Sequence, residues 1–390
     1  MEMNVPAADV VMLGTFSAWN LGTIQARALP LATELRSLGI RSAIVVTPWD
    51  MPTEAGAMDI IDGVPIINTG ATSATHPLSA IRQQIRWAHQ LTPAVIHVFK
   101  PKGFGGFAGR VLSASLPLVV DSDDWEGDGG WNDAGDYGLL QRRVFHYQEN
   151  DLLKRATYVT AASTLLADRA REIRTHAGGD TVKRLPNGIT RERWLELSTA
   201  RQMAPASMDP PVILLYSRFA EFDHDWLASF MYALSSRCDK DIIVRVVGNI
   251  ANQTIPPAIV GGIRVEIMGY VSWHTIPTLL GTSTIAVYPY RDSLVTRSKQ
   301  SVKLLEQMAA GCPMVASDVG DIGLTLGAAG IVLPDASPDR FARSVVELLN
   351  QPERLNLMSA TGTERVRSDF LFEDLARDLL DVYCSVGLKH

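Results

Sequence analysis

Cysteine is scarce in this chain: three residues in 390, at positions 238, 312 and 384. Odd in number, far apart and set in apolar segments, they exclude a disulfide framework and a paired-cysteine zinc site. They have the pattern of buried thiols in a reducing compartment. Long hydrophobic runs are also missing. No stretch approaches the roughly 18 apolar residues of a spanning helix, and the opening "MEMNVPAADVVMLGTF" lacks the basic segment and long apolar core of a secretory leader. A cytoplasmic location is therefore expected, and the sequon-like Asn252-Gln-Thr254 is read as chance. Basic and aromatic residues are nowhere interleaved as in nucleic-acid binding segments, so no nucleic acid is expected as a partner.

What is present is ordinary for a globular protein, with 46% hydrophobic and 20% charged residues, and long enough for two domains with separate cores. The charge is unevenly spread. Residues 1–195 carry 19 Lys and Arg against 20 Asp and Glu, and seven of those acids fall in the single stretch "VVDSDDWEGDGGWNDAGDY" (119–137). Outside that stretch the first half is mildly basic, which suits anionic or lipid-surface partners weakly.

The segments alternate in type. Apolar runs at 8–14, 41–47, 94–99, 116–122 and 156–163 read as strands buried on both faces. Patterns of helical period lie between them, over 24–39 and near 77–90, 104–115, 139–154 and 164–176. After a Pro- and Ser-punctuated junction, "RLPNGITRERWLELSTARQMAPASMDPP", the alternation restarts with strands at 212–217, 241–249, 264–270, 283–290, 313–318 and 330–334. Helices fit 225–236, 301–311, 337–350 and the closing "FEDLARDLLDVYCSV". The expected class is α/β with two doubly wound, Rossmann-like parallel-sheet domains. Ligands bind outside the carboxyl ends of such strands, so two facing sheets would define a cleft.

The most specific segment is "SVKLLEQMAAGCPMVASDVGDIG" (301–323). It resembles the donor-binding segment of family 4 of the retaining glycosyltransferases (group 1), which have the GT-B fold. "LPNGI" (185–189), "ENDLLKRATYVTAASTLLADRA", "LLYSRF" and "FEDLARDLLDVY" resemble further pieces of that family in order and spacing. The resemblance implies an acceptor-side domain over 1–195, to which a closing helix at 371–390 crosses back, and a donor-binding domain over 205–370. It also implies transfer of a hexose-type sugar from a nucleotide diphosphate, by front-face substitution with retention, without a metal or other cofactor. The acceptor is open: a saccharide, a lipid-linked molecule or a small molecule.

Site residues follow from the same resemblance. Arg218 and Lys303 meet the donor diphosphate, where negative charge grows as the sugar leaves. Glu306 accepts hydrogen bonds from the ribose, Gly14 lies in the first loop near the diphosphate or acceptor, and Tyr270 belongs to the loop "GYVSW" near the base. Read alone, Lys303 and Glu306 are also compatible with a solvated helical ion pair. His97, in "VIHVFKPKG", is either a catalytic group at a strand end with Lys100 and Lys102 nearby, or a core histidine. Two departures from the family stand out. Ser298 occupies the position of an acid, with Lys299 beside it, and the acidic run "AEFDHD" follows Arg218 where a lysine is common. They keep open a non-catalytic sugar- or nucleotide-binding partner subunit, alongside a nucleotide-sugar epimerase on the same architecture.

Asp121-x-Asp123 matches the metal-chelating pair of one-sheet transferases, but two carboxylates two apart are a short pattern. Its place after an apolar strand points instead to acceptor binding. Asp123, Asp124 or Glu126 would bond acceptor hydroxyls, and Trp125 or Trp131 would pack on a sugar face. The alternative is a solvated loop whose first Asp caps a helix. "LSAIRQQIRWAHQ" joins Ile81, Ile85 and Trp87 to Arg82 and Arg86, as a weak peripheral contact with an anionic bilayer or as an ordinary surface helix.

Overall fold

The computed structural model describes residues 6–19, 22–70, 77–135, 137–175, 180–204 and 209–390. Part of the first βα loop (20 and 21), Asp136 of the acidic stretch and 205–208 of the expected junction lie outside these.

The apolar runs become two sheets. The first holds β1 (Val10–Gly14), β2 (Ser42–Val46), β3 (Met58–Ile61), β4 (Val64–Asn68), β5 (Val95–Phe99), β6 (Leu118–Ser122), β7 (Tyr158–Ala161) and β8 (Val182–Arg184). Its order is β3-β4-β2-β1-β5-β6-β7-β8, parallel except for the β3–β4 hairpin. That hairpin was not expected, although "IIDGVPII" carries its signal. Asp62 and Gly63 both take positive φ (50° and 77°), as a two-residue turn of the right twist requires.

The second sheet holds β9 (Val212–Tyr216), β10 (Ile242–Val247), β11 (Ile259–Val260), β12 (Ile263–Gly269), β13 (Ile285–Tyr288), β14 (Met314–Ser317) and β15 (Gly330–Leu333), in the order β11-β12-β10-β9-β13-β14-β15. Helices cover both faces, so the central strands are buried from end to end and read as unbroken apolar runs. In each sheet the order reverses once, between β1 and β5 and between β9 and β13. Those are the switch points at whose carboxyl ends ligands bind in doubly wound folds.

The chain divides into two compact units. The first takes the described residues up to Gly188, together with Ser298–Gln300 and Phe372–His390; the second takes Ile189–Arg297 and Ser301–Leu371. The passage at Gly188–Ile189 lies within the expected junction. Within that stretch Arg191–Met203 forms a helix, belonging to the second unit and capped by the Thr190 side chain. The closing helix Phe372–Ser385 completes the first unit's core. Its Phe372, Leu375, Leu379 and Tyr383 pack among residues of the Leu29–Ser37 helix and of β1, β2 and β5. No helix among the described residues is long and apolar enough to cross a membrane. In Pro77–Leu91, Ile81, Ile85 and Trp87 are half-buried and pack on the core, while Arg82 and Arg86 are exposed.

Candidate active site

The second unit gathers five side chains from four elements at the carboxyl side of β9. Lys303 stands in the first turn of Val302–Ala309, and its Nζ lies 3.9 Å from the centre of the Tyr216 ring, at the end of β9. The Tyr216 hydroxyl donates to Glu306 Oε2 at 3.1 Å. Glu306 Oε1 accepts from Arg193 Nε (3.1 Å) and from a terminal nitrogen of the same guanidinium (2.8 Å). Arg193 in turn lies 3.7 Å from the ring centre of Trp273, in the turn after β12. Glu306 and Arg193 are both buried, so the pair is shielded from the screening that weakens surface ion pairs. Burial and the adjacent carboxylate push the Tyr216 hydroxyl far above its usual range, which keeps it a donor.

Glu306 is thus buried and held by Arg193 and Tyr216, not part of a solvated ion pair, while Lys303 is half-buried with its ammonium on the Tyr216 ring. Sequence reasoning named both, and missed the residues that connect them. Tyr216 lay in a recognised strand and Arg193 in a stretch read as a junction. Tyr270, expected near a nucleobase, is almost fully exposed one residue past β12, and Trp273 in the same loop is the residue that joins the cluster.

Arg218 follows β9 and is half exposed, with a terminal nitrogen 2.6 Å from the buried Glu221. The turn that presents it is tight: a Cβ on Gly248 would sit 1.8 Å from the Ser217 carbonyl oxygen, so only glycine fits beside it. The acidic run after Arg218 therefore divides. Glu221 orients the arginine, whereas Asp223 and Asp225 line a separate cavity of about 650 Å³ with Asp292, Asp318 and Asp335. Ser298, at the family's acid position, is fully buried.

In the first unit the acidic stretch is folded around lysines. Lys100, in left-handed backbone (φ 60°) just past β5, places its Nζ 2.7 Å from Asp124, 3.0 Å from Glu126 and 3.4 Å from Asp123. Lys102 reaches Glu126 at 2.5 Å and Asn132 Oδ1 at 3.3 Å, with the Tyr137 and Phe145 rings within 6 Å. Burial works against the Lys100 charge, but the three carboxylates hold its pKa well above the usual range. Burial also works against Asp124, yet Lys100 keeps its carboxyl low. Asp123 goes the other way: burial, with Asp124 and Asp121 adding, pushes it up to about 6 against the pull of Lys100, while Thr23 donates to its Oδ2.

Several expectations for this region are corrected. Glu126 is buried between two lysines and its carboxylate is turned to them rather than to the surface. Trp125 is half-buried against the first unit's core with the Arg169 guanidinium 4.0 Å from its ring centre, and is no free platform. Asp121 is interior. Both its oxygens bind Arg27 at 2.8 Å, and Thr160 donates to one of them, so neither is left for a metal. Among the described residues no group of three or more His, Cys, Asp or Glu is placed to hold a metal.

His97 is likewise a core residue. It sits mid-strand on the face covered by the closing helix, its Nδ1 2.7 Å from the Tyr383 hydroxyl, and burial lowers its pKa to about 3. Side chains alternate along a strand, and this one points into the layer behind the sheet. Gly14 is glycine for packing reasons. A Cβ there would meet the Ile24 side chain at 2.6 Å, and the Gly14 backbone in turn crowds Gly105.

Comparison with known proteins adds independent evidence. Residues 22–188 match the family described as glycosyl transferase 4-like domain, and residues 210–351 match glycosyl transferases group 1. Among solved structures, the chain is similar to the sucrose-phosphate synthase of Thermosynechococcus elongatus, with a TM-score of 0.69 and 16% identity over 97% of this chain and 98% of that one. A glycosyltransferase from Rickettsia africae gives 0.68 and 14% over the same shares. Anabaena HepE, solved with UDP-glucose, gives 0.64 and 15% over 96% and 99%. At such identities the likeness is one of fold, the two-sheet GT-B architecture. A search of curated proteins found no match.

Proposed function

The chain belongs to the group 1 glycosyltransferases, and from that premise we propose that it transfers a hexose-type sugar from a nucleotide diphosphate to an acceptor hydroxyl, with retention and without a metal ion. The observation that carries the reading is the run of contacts Lys303–Tyr216–Glu306–Arg193–Trp273. It supplies, in one line, a cation for the diphosphate, a carboxylate for the ribose and an aromatic face for the base. HepE, similar in fold, was solved with UDP and with UDP-glucose, which makes UDP-glucose the first donor to test.

In this reaction the bond from the sugar's anomeric carbon to the diphosphate oxygen breaks. A bond from the acceptor oxygen to the same face of that carbon forms, and the acceptor's proton passes to the departing diphosphate. No protein base is needed for that proton. Charge on the diphosphate rises as the sugar leaves, so Lys303, and Arg218 oriented by Glu221, bind the transition state more tightly than the ground state. In the first unit, Asp123 and Asp124 are the carboxylates proposed for acceptor hydroxyls.

The test is a thermal-shift series with UDP, GDP, ADP and TDP, each with and without chelator. Stabilisation by one nucleotide regardless of chelator is expected. Stabilisation only with a divalent metal overturns metal independence, and no shift with any nucleotide overturns the donor site.

A further inference from the structure

Glu306 is held more elaborately than a ligand-binding carboxylate requires. Nε and one terminal nitrogen of Arg193 both converge on Oε1, at 3.1 and 2.8 Å, and the Tyr216 hydroxyl donates to Oε2 at 3.1 Å. A carboxylate has about four lone-pair directions, so these three bonds leave about one, on Oε2. The guanidinium is itself fixed at two further points. Its remaining terminal nitrogen bonds Glu196 at 2.7 Å and its flat face lies on Trp273 at 3.7 Å, while the residue's backbone N–H donates to the Thr190 hydroxyl at the helix start. A planar, five-donor group clamped in this way sets the orientation of its carboxylate partner.

We propose that Arg193 is a positioning residue for the donor: it turns Glu306 so that only Oε2 remains to accept, and the enzyme therefore reads one ribose hydroxyl rather than two. This rests on the proposed role of Glu306 as the ribose acceptor. Trp273 extends the same device. By holding Arg193, it links the loop after β12 to the carboxylate, although neither Trp273 nor Arg193 bonds the ribose itself. The arrangement also accounts for a buried arginine whose carboxylate partner is 113 residues away.

The experiment compares binding of UDP, 2′-deoxy-UDP and 3′-deoxy-UDP to the full-length protein by calorimetry, for the wild type, Arg193→Lys and Trp273→Leu. In the wild type one of the two deoxy compounds is expected to bind about tenfold more weakly than UDP, the worth of one hydrogen bond to a charged group, and the other about equally. Arg193→Lys keeps the charge but loses the double bond to Oε1, and is expected to shrink that ratio to within about twofold while retaining the diphosphate's share of the affinity. Trp273→Leu leaves the ion pair in place, so it serves if the lysine variant does not fold, and it is expected to shrink the ratio in the same direction. A full wild-type ratio in the folded variants overturns the role of Arg193 and leaves the ribose reading standing. Equal binding of all three compounds by the wild type overturns the ribose reading itself. Loss of affinity for both deoxy compounds overturns the single-hydroxyl geometry.

Discussion

Both units contain buried arginine–carboxylate pairs, and Arg27–Asp121 of the first is built differently from Arg193–Glu306 of the second. Arg27 of the first unit spends all five of its N–H groups: two on Asp121, and one each on the carbonyls of Leu185 and Pro186 and on the Asn187 side chain. Asp121 has Thr160 as a further donor and no exposure. Arg193 of the second unit instead makes three side-chain bonds, two to Glu306 and one to Glu196, and lies against a tryptophan that is 54% exposed. An arginine saturated with interior partners ties segments of chain together, whereas one beside an exposed ring can serve a ligand site. Both look alike in sequence, as one acid and one base far apart.

Breaking the saturated pair is expected to have the largest effect. Arg27→Met strands a buried carboxylate and should cost about 3–5 kcal/mol, read as a fall in urea midpoint; a loss below about 1 kcal/mol would show the pair to be dispensable. Arg193→Met should cost less, because Arg193 makes three side-chain hydrogen bonds against the five of Arg27.

Next in size is the chemistry. Lys303→Ala should lower kcat/KM for the donor by about 10²–10³ with little change in stability, as loss of a transition-state cation does. A wild-type rate in that variant would remove Lys303 from the mechanism.

A third prediction concerns Asp123, whose folded pKa is raised to about 6 by burial. Between its unfolded value near 3.8 and about 6 the folded state binds more of this proton, so this group's contribution to stability falls as pH rises through that window. Asp123→Asn removes the titration. The variant should gain stability relative to the wild type from pH 4 to about 6 and hold that gain above, and a difference flat in pH would falsify the assignment. His97, with its pKa lowered to about 3, acts in the opposite sense and loses stability below its ordinary 6.5. The comparison must therefore be made between variant and wild type, not from the wild-type curve alone.

The smallest effect is expected at Arg82 and Arg86, exposed on Pro77–Leu91. Their reversal to Glu should change stability by no more than about 0.5 kcal/mol. Chemical unfolding of the double variant measures it.

Much of the fold was legible because strands covered on both faces are apolar throughout, as β9 and β13 are. The β3–β4 turn was legible too, in Asp62-Gly63, and went unread. The site was legible only in part. Lys303 and Glu306 share one helix and one motif, but Arg193 and Tyr216 become functional only by meeting Glu306 across 113 and 90 residues, and no local pattern records that meeting. His97 shows the reverse error. Its neighbours Lys100 and Lys102 do reach the carboxyl edge, while the strand's alternation turns the imidazole toward a helix near the other end of the chain.

That helix, Phe372–Ser385, bears on how the protein is made. The first unit begins the chain, yet a wall of its core and the hydroxyl that satisfies His97 come from residues synthesised after the whole second unit. On the ribosome the second unit can close first, while the first waits with an apolar groove uncovered between β1, β2 and the Leu29–Ser37 helix. A chain stalled or clipped before Phe372 would carry its second unit intact and present that groove to whatever chaperone or protease reached it.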